Sequence, residues 1–574
     1  MASASARRKA AVSSPARKTY NQAVPGQSRS AVPRAMNILM LYPKFPDETF
    51  WNTARSIRLL WGRKAIMPPL GLLTIASYLP EDFSVRLIDR NVAEESAADW
   101  QWADVIFLSA MMAQREDYRQ CVGRAKQRGK PLALGGPLTH ATPETCRADA
   151  DWLCFGEAET IMAELIADLR AGRRGRHYHG GSATDMERVK MPRFDLLPNV
   201  NDYATMALQF SRGCPFKCEF CDIIEIYGRV PRTKTPAQLC AELTAVKRLG
   251  FQGYIFLVDD NFIGNKRRAK HLLAALAAWN HAQRHPFRYY TEASINLADD
   301  DELLDAMREA DFFHVFIGIE TPDPKLLKTT QKMQNIPGNP LAKISRIRRH
   351  GLHVTAGFIV GFDGEERGVF DVQREFIQAS GIGVAMIGLL QAIPHTQLAR
   401  RLESEGRLLE TLSSTGNLTV EGINFIPNGA LTRREYLENY RALVRALFQP
   451  AAYFARAVPA LLELRARAPR SALRRHGAQL LKVLLKEFYY FGLREPALRG
   501  HFRRAFWQIL RKQPAALEAF LFDCGIFYHL HQHADYIQRA LGDYLAAPRP
   551  DDPLDTLVDP RAADRAVERR AETR

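Results

Sequence analysis

The sequence predicts an α/β protein in three parts: a doubly wound domain over 36–190, a partial parallel (β/α)6 barrel over 205–400 and a helical C-terminal domain over 430–545. Three observations predict it. Short, continuously apolar runs alternate with amphipathic segments in two successive series, which is how parallel strands covered on both faces read. A Pro- and Asn-bearing linker, MPRFDLLPNVNDYA (191–204), separates the series. Beyond 430 strand signals give way to helical sequence rich in Arg and aromatic residues.

The first series has the runs NILMLY (37–42), VRLID (85–89), DVIFLSA (104–110), PLALGG (131–136) and WLCFGE (152–157). Between them lie PLGLLTIASYL (69–79), REDYRQCVGRAKQRG (115–129) and EAETIMAELIADLRAG (157–172). Doubly wound domains bind ligands beyond the C-terminal ends of their strands. Those ends carry YPKFPDETFW, SAMMAQ, GGPLTH and GEAE. In the second series the strands are TMALQFS, GYIFLVDDNF, FRYYTEASI, FHVFIGIE, HVTAGFIVGF and VAMIGLLQAI, separated by helices such as TPAQLCAELTAVKRLG. Six β/α units in sequence suggest a barrel with its chemistry at the strand C-termini.

Charge and composition narrow the class. The net charge is +16 over 574 residues. Residues 1–35 carry seven Arg/Lys and no acid, and 431–545 carry nineteen Arg/Lys against nine Asp/Glu. The basic surface therefore lies at the C-terminal end. Eight cysteines in this length do not make a secreted disulfide framework. The N-terminal tail has Arg7 and Arg8 but no apolar run behind them, so it reads as a disordered basic tail over 1–35 rather than a secretory signal. No run of about twenty apolar residues is present, so no membrane span is expected. A reducing, cytoplasmic compartment follows. The Pro- and charge-rich residues 546–574 are expected to be a disordered tail.

Three of the eight cysteines crowd into LQFSRGCPFKCEFCDIIEIYGR (208–229), as Cys214, Cys218 and Cys221 in a C-x3-C-x2-C array directly after the first barrel strand. A structural zinc site takes four ligands, and no fourth cysteine lies near. Three thiolates can instead hold three irons of a [4Fe–4S] cluster and leave the fourth iron open. The array, with Phe220 before its last cysteine, resembles the radical S-adenosylmethionine (SAM) superfamily. The resemblance covers about 205–400. It implies that Asp260 and Asn261 in VDDN (258–261) lie near the SAM amino end and that Glu320, ending GIE (318–320), contacts SAM. It also implies that Gly357 and Gly361 in GFIVGFDGEE (357–366) support the adenine. The chemistry it implies is one-electron cleavage of SAM to a 5′-deoxyadenosyl radical. That radical abstracts hydrogen from an unactivated carbon.

The domain in front resembles the cobalamin-binding domain of class B radical SAM methylases. SAMM (109–112), GGPLTH (135–140) and GEAE (156–159) match that family's segments in order. The resemblance implies that Ser109, Gly135 and Gly136 line the slot for the cobalamin tail. The D-x-H-x-x-G motif that would put a histidine on cobalt is missing, and His140 reads as a loop residue. With cobalamin, the implied reaction is transfer of a methyl group from methylcobalamin to the substrate radical.

The segment LLKVLLKEFYYFGLREPALRGHFRRAFWQILRK (480–512) sets Lys and Arg beside Leu, Phe, Tyr and Trp at helical spacing. Such a face suits an anionic membrane surface, the wall of an apolar tunnel, or a bundle packed on the barrel. Nucleic acid is not the expected partner, because no RNA-binding module is recognisable. A basic helical extension behind this core resembles the branch with the hopanoid C-2 methylase and the bacteriochlorophyll side-chain methylases. That resemblance implies an apolar polycyclic substrate and a reductant such as flavodoxin or ferredoxin. It implies methylation of a hopanoid-like lipid, with a tetrapyrrole or a non-methylating radical cyclisation or rearrangement as alternatives. His529 and His533, one helical turn apart, read as surface or core residues rather than metal ligands.

Overall fold

The computed structural model describes residues 35–50, 52–182, 184–409, 422–465 and 481–558. The expected N-terminal tail lies outside the described residues but for its last residue.

The first sheet is wholly parallel. Its strands are β1 (Met36–Tyr42), β2 (Phe83–Asp89), β3 (Val105–Ser109), β4 (Leu132–Gly135), β5 (Trp152–Phe155) and β6 (Arg176–His179). They run in the order β2-β1-β3-β4-β5-β6. The order reverses between β1 and β3, which is where such sheets open a ligand crevice. β6 was not expected. Its sequence, RHYH, buries only Tyr178, as an edge strand can.

The second sheet uses all six expected runs: β7 (Thr205–Leu208), β10 (Tyr254–Leu257), β11 (Tyr289–Ala293), β12 (Phe312–Glu320), β13 (His353–Val360) and β14 (Ala385–Leu389). Every neighbouring pair is parallel, in sequential order from β7 to β14. The helices between them start where the sequence says they should. The helix Pro236–Arg248, for example, begins with a Thr235–Gln238 capping box and proline in its first turn. A two-stranded antiparallel hairpin, β8 (Ser211–Arg212) with β9 (Arg232–Thr233), closes the long loop that carries the cysteines. The linker 191–204 is packed rather than loose: Phe194, Val200 and Tyr203 are buried, and Tyr203 donates to Asp89 at 3.1 Å.

Helices Arg433–Leu447, Pro450–Glu463, Pro496–Lys512 and Leu517–Ala546 form the C-terminal part, together with helical residues 481–489. The long helix Leu517–Ala546 closes the barrel floor. Its Phe522 packs on Phe313 and His314 at the start of β12, and its Asp523 meets His353 at the start of β13 at 2.8 Å. The expected disordered tail from 546 is ordered at its start. Arg433 and Arg434 of the helix Arg433–Leu447 bind Asp552 and Asp555, and Leu554 is buried. Residues 559–574 lie outside the described residues. No helix among the described residues is long and apolar enough to cross a membrane.

Candidate active site

The cysteine loop is pinned from every side. Gly213, just before Cys214, has φ +92°, and a Cβ there would lie 2.9 Å from the Val230 carbonyl oxygen. Only glycine fits that approach. Asp259, at the end of β10, accepts from the Phe210 N–H at 3.2 Å and from the Ser211 hydroxyl at 2.5 Å, fixing the loop's entry. Glu219 pairs with Arg401 at 3.0 Å, and its N–H donates to the Thr330 carbonyl at 3.1 Å.

The loop also binds the first domain. Glu157 and Glu159 of GEAE face the hairpin: Arg232 donates to Glu157 at 2.9 Å and Arg212 to Glu159 at 2.6 Å. Arg232 and Thr184 hold the Glu157 carboxyl below its ordinary pKa against the opposing effect of its burial. Sequence reading placed GEAE among the ligand-facing strand ends of the first domain. In the structure its two carboxylates join the domains.

The three cysteines converge at the C-terminal mouth of the barrel. Each acts electrostatically on at least one of the others. The Asn261 amide donates to Cys214 Sγ at 3.8 Å and the Gln334 amide to Cys218 Sγ at 3.6 Å. Burial pushes the Cys214 and Cys221 thiols up. Such thiols become thiolates only beside strong positive charge, which iron supplies. Among the described residues no three His, Cys, Asp or Glu side chains are close enough to share one ion. A cluster instead spreads its thiolates over separate irons. Phe220 lies against Phe362, with ring centroids 5.9 Å apart.

The other expected residues sit around this loop. Asn261 also accepts from the Ser294 N–H at 3.3 Å, which ties β11 to Cys214. Asp260 is pushed up to about 7, first by burial and then by Asp259 and Asp222. Glu320 leaves β12 at a register shift with φ +66° and is ion-paired with Lys332. Burial opposes the Lys332 charge, but Glu320 and the neighbouring Cys218 and Cys221 raise its pKa. Lys332 had no signal in the sequence. Gly357 lies under Phe316, where a Cβ would come within 3.1 Å of the ring. Gly361 has φ +113°, and its N–H donates to Glu365 at 2.8 Å.

In the first domain, Ser109 ends β3 and Gly135 ends β4. Gly136 follows with φ +88°, and a Cβ on it would sit 2.4 Å from Ser109 Oγ. These three residues are therefore together at the strand ends. His140 is engaged: its Nε2 accepts the Gly156 N–H at 2.9 Å. His529 donates to the carbonyls of Thr49 and Phe50 at 2.8 and 3.1 Å and stacks on His533.

A cavity of about 670 Å³ opens between the two sets of strand ends. Met111, Pro137 and His140 line it from the first domain, and Asp222, Glu225 and Ile226 from the cysteine loop. It continues into the barrel past Phe256, Tyr290, Glu292 and Phe316 to Phe522 on the floor. Its wall is mostly apolar. Glu292 is pushed up to about 8 by burial, then by Asp260 and Asp259. Among the described residues, those of 481–512 do not wall this cavity, and of the C-terminal helices only Phe522, Gly525 and Ile526 reach it.

Comparisons with known proteins agree with this arrangement. The B12 binding domain family matches residues 62–166, the radical SAM superfamily 208–371, and a domain of unknown function (DUF4070) 396–542. An uncharacterized methyltransferase of Synechocystis is 39% identical over 535 residues, 92% of this chain and 98% of that protein. The hopanoid C-2 methylase of Rhodopseudomonas palustris is 37% identical over 385 residues, 66% of this chain and 72% of that one. In fold the chain is similar to the cobalamin-dependent SAM radical enzyme OxsB, at 14% identity and TM-score 0.55, over 94% of this chain and 84% of that one. It is also similar to the methyltransferase TsrM of Kitasatospora setae, at 14% identity and TM-score 0.53, over 88% and 99%. The residues fit the three groups these likenesses imply: a three-cysteine loop for a [4Fe–4S] cluster, a barrel mouth for SAM, and strand ends that open on the cavity for cobalamin. The chain belongs to the cobalamin-dependent radical SAM methyltransferases.

Proposed function

We propose that this enzyme methylates an unactivated carbon of an apolar, polycyclic, hopanoid-like lipid. The observation that carries the reading is the cavity: about 670 Å³, mostly apolar, and continuous from the first domain's strand ends to the barrel floor. A rigid hydrocarbon gains from each apolar contact made there. The 37% identity to a hopanoid C-2 methylase supports the same substrate class.

When bound, the cluster and SAM supply the radical that removes hydrogen, and cobalamin supplies the methyl group. The chain's own residues bind, orient and exclude. In this reading Cys214, Cys218 and Cys221 hold the cluster beside Phe220. Asp260, Asn261 and Glu320 take the polar end of SAM, and Gly357 and Gly361 its adenine. Ser109, Gly135 and Gly136 take the cobalamin tail. Phe522 lines the floor, where it would help to keep water from the radical. Glu292 is the single acid facing the lumen from β11, and protonated it would donate to a hydroxyl or carbonyl of the substrate. A flavodoxin or ferredoxin would deliver the electron, and peripheral contact with the inner face of a membrane would bring the lipid.

The test is expression in a hopanoid-making bacterium that lacks such an enzyme, with polycyclic lipids read by mass spectrometry. A species heavier by one CH2, lost when Cys214, Cys218 and Cys221 are all alanine, is the expected result. An unchanged profile, with the protein loaded with cluster and cobalamin, would overturn the lipid reading and favour a tetrapyrrole.

A further inference from the structure

Helical residues 481–489 run through a π-type turn, Tyr490–Arg494, into the helix Pro496–Lys512. The two helices pack on each other through aromatic rings: Phe488 lies 6.1 Å from Phe502 and 5.7 Å from Phe506 between centroids. Their other sides face solvent with an unusual composition. Leu481, Leu485, Tyr489 and Leu493 recur every fourth residue, and each is at least half exposed. Trp507 and Leu510 add to the surface from the second helix. Six of the thirteen large apolar side chains exposed among the described residues therefore sit on this one hairpin. A core-facing stripe would be buried, and scattered exposed leucines would not align.

The charges on the hairpin are equally unpaired. Residues 481–512 hold eight Lys and Arg and two acids. One acid, Glu487, is fully buried. None of the eight cations forms an ion pair among the described residues. Arginines elsewhere in the molecule do: Arg433 and Arg434 bind Asp552 and Asp555, and Arg348 and Arg349 bind Glu463. A row of exposed leucines and a field of unpaired cations both cost free energy in water. One surface relieves both costs: anionic phosphate over hydrocarbon. RNA would satisfy the cations and leave the leucines wet.

The location gives this face a use. Lys486 donates to the Leu59 carbonyl at 2.9 Å. Leu59 belongs to the helix Ala54–Trp61, whose Ile57, Leu60 and Trp61 line the cavity. The exposed row is thus one helix away from the cavity wall.

We propose that residues 481–512 are a peripheral docking face for an anionic membrane, which sets the cavity beside the bilayer. Only its use in substrate delivery rests on the lipid reading above. The docking does not.

Cosedimentation of the full chain with vesicles tests it. The expected result is binding to phosphatidylcholine vesicles containing phosphatidylglycerol, little binding to pure phosphatidylcholine, and release by salt. Two variants separate the contributions: Leu485→Ser with Trp507→Ser, and Arg499→Gln with Arg504→Gln and Arg511→Gln. Each should weaken binding roughly tenfold or more, with the thermal midpoint and the iron content unchanged. Failure to bind anionic vesicles, or binding that both variants retain, overturns the proposal. So does preferential capture of an RNA oligonucleotide, or a dimer that the leucine variant dissolves without any vesicle binding. Vesicle binding without methylation of vesicle-borne hopanoid would keep the docking face and sink the lipid reading.

Discussion

Arg232 crosses from the hairpin that closes the cysteine loop to Glu157 at the end of the first sheet, Nη1 to Oε2 at 2.9 Å. The Glu157 side chain is fully buried, so its end of this link between the two domains is shielded from water. Breaking a buried pair from one side strands the other charge and costs about 3–5 kcal/mol. Glu157→Ala should therefore lower the calorimetric midpoint and loosen the loop, seen as less iron retained per chain. Because the pairing holds this carboxyl below its ordinary value, its contribution is complete above pH 4.5 and is lost as pH falls below that. A variant with wild-type midpoint and iron content would show that the latch carries no load.

Lys332 contacts Glu320 and acts on Cys218 and Cys221. A positive charge near a cluster favours its reduced form. Lys332→Met should therefore lower the cluster's reduction potential by tens of millivolts, read by a titration monitored with electron paramagnetic resonance. The double variant Lys332→Met, Glu320→Gln is again neutral as a pair and should recover most of that shift. A potential that ignores both changes would place Lys332 outside the cluster's field.

Glu292 is raised to about 8 inside the cavity. The folded protein then holds a proton there that the unfolded chain has lost above about pH 4.5. Stability from this group is present below pH 4.5 and is lost as pH rises toward 8. Glu292→Gln should flatten that slope by a single proton when unfolding of the apoprotein is followed with pH. An unchanged slope would mean the carboxyl is ionised in the fold.

What the sequence made legible follows from range. The cysteine array is local chemistry, and three thiolates leave one iron of a four-iron cluster open. The six barrel strands are apolar runs of strand length, and all six form. β6 escaped because RHYH is neither apolar nor alternating, as an edge strand need not be. The pairs Glu157–Arg232 and Glu159–Arg212 join residues more than fifty positions apart, and no one-dimensional pattern announces them. Glu292 could have been found: in FRYYTEASI the period of two puts Tyr290 and Glu292 on one face, which proves to be the lumen.

Gly136 offers the sharpest test of the first domain. It stands at φ +88°, where a side chain is strained, and a Cβ would also press within 2.4 Å of Ser109 Oγ and 3.3 Å of the Ala110 carbonyl. The serine can rotate away, but the carbonyl is backbone and cannot. Gly136→Ala should thus cost more than about 1 kcal/mol of stability and shift the turn between β4 and the helix Pro137–Ala141. Since Pro137 and His140 line the cavity, the shift should reach whatever that mouth binds. The expected outcome is cobalamin occupancy well below wild type, read from the visible spectrum, with the cluster's iron content retained. Equal loss of both would mean that the domain as a whole unfolds. Full cobalamin binding would remove Ser109, Gly135 and Gly136 from the slot.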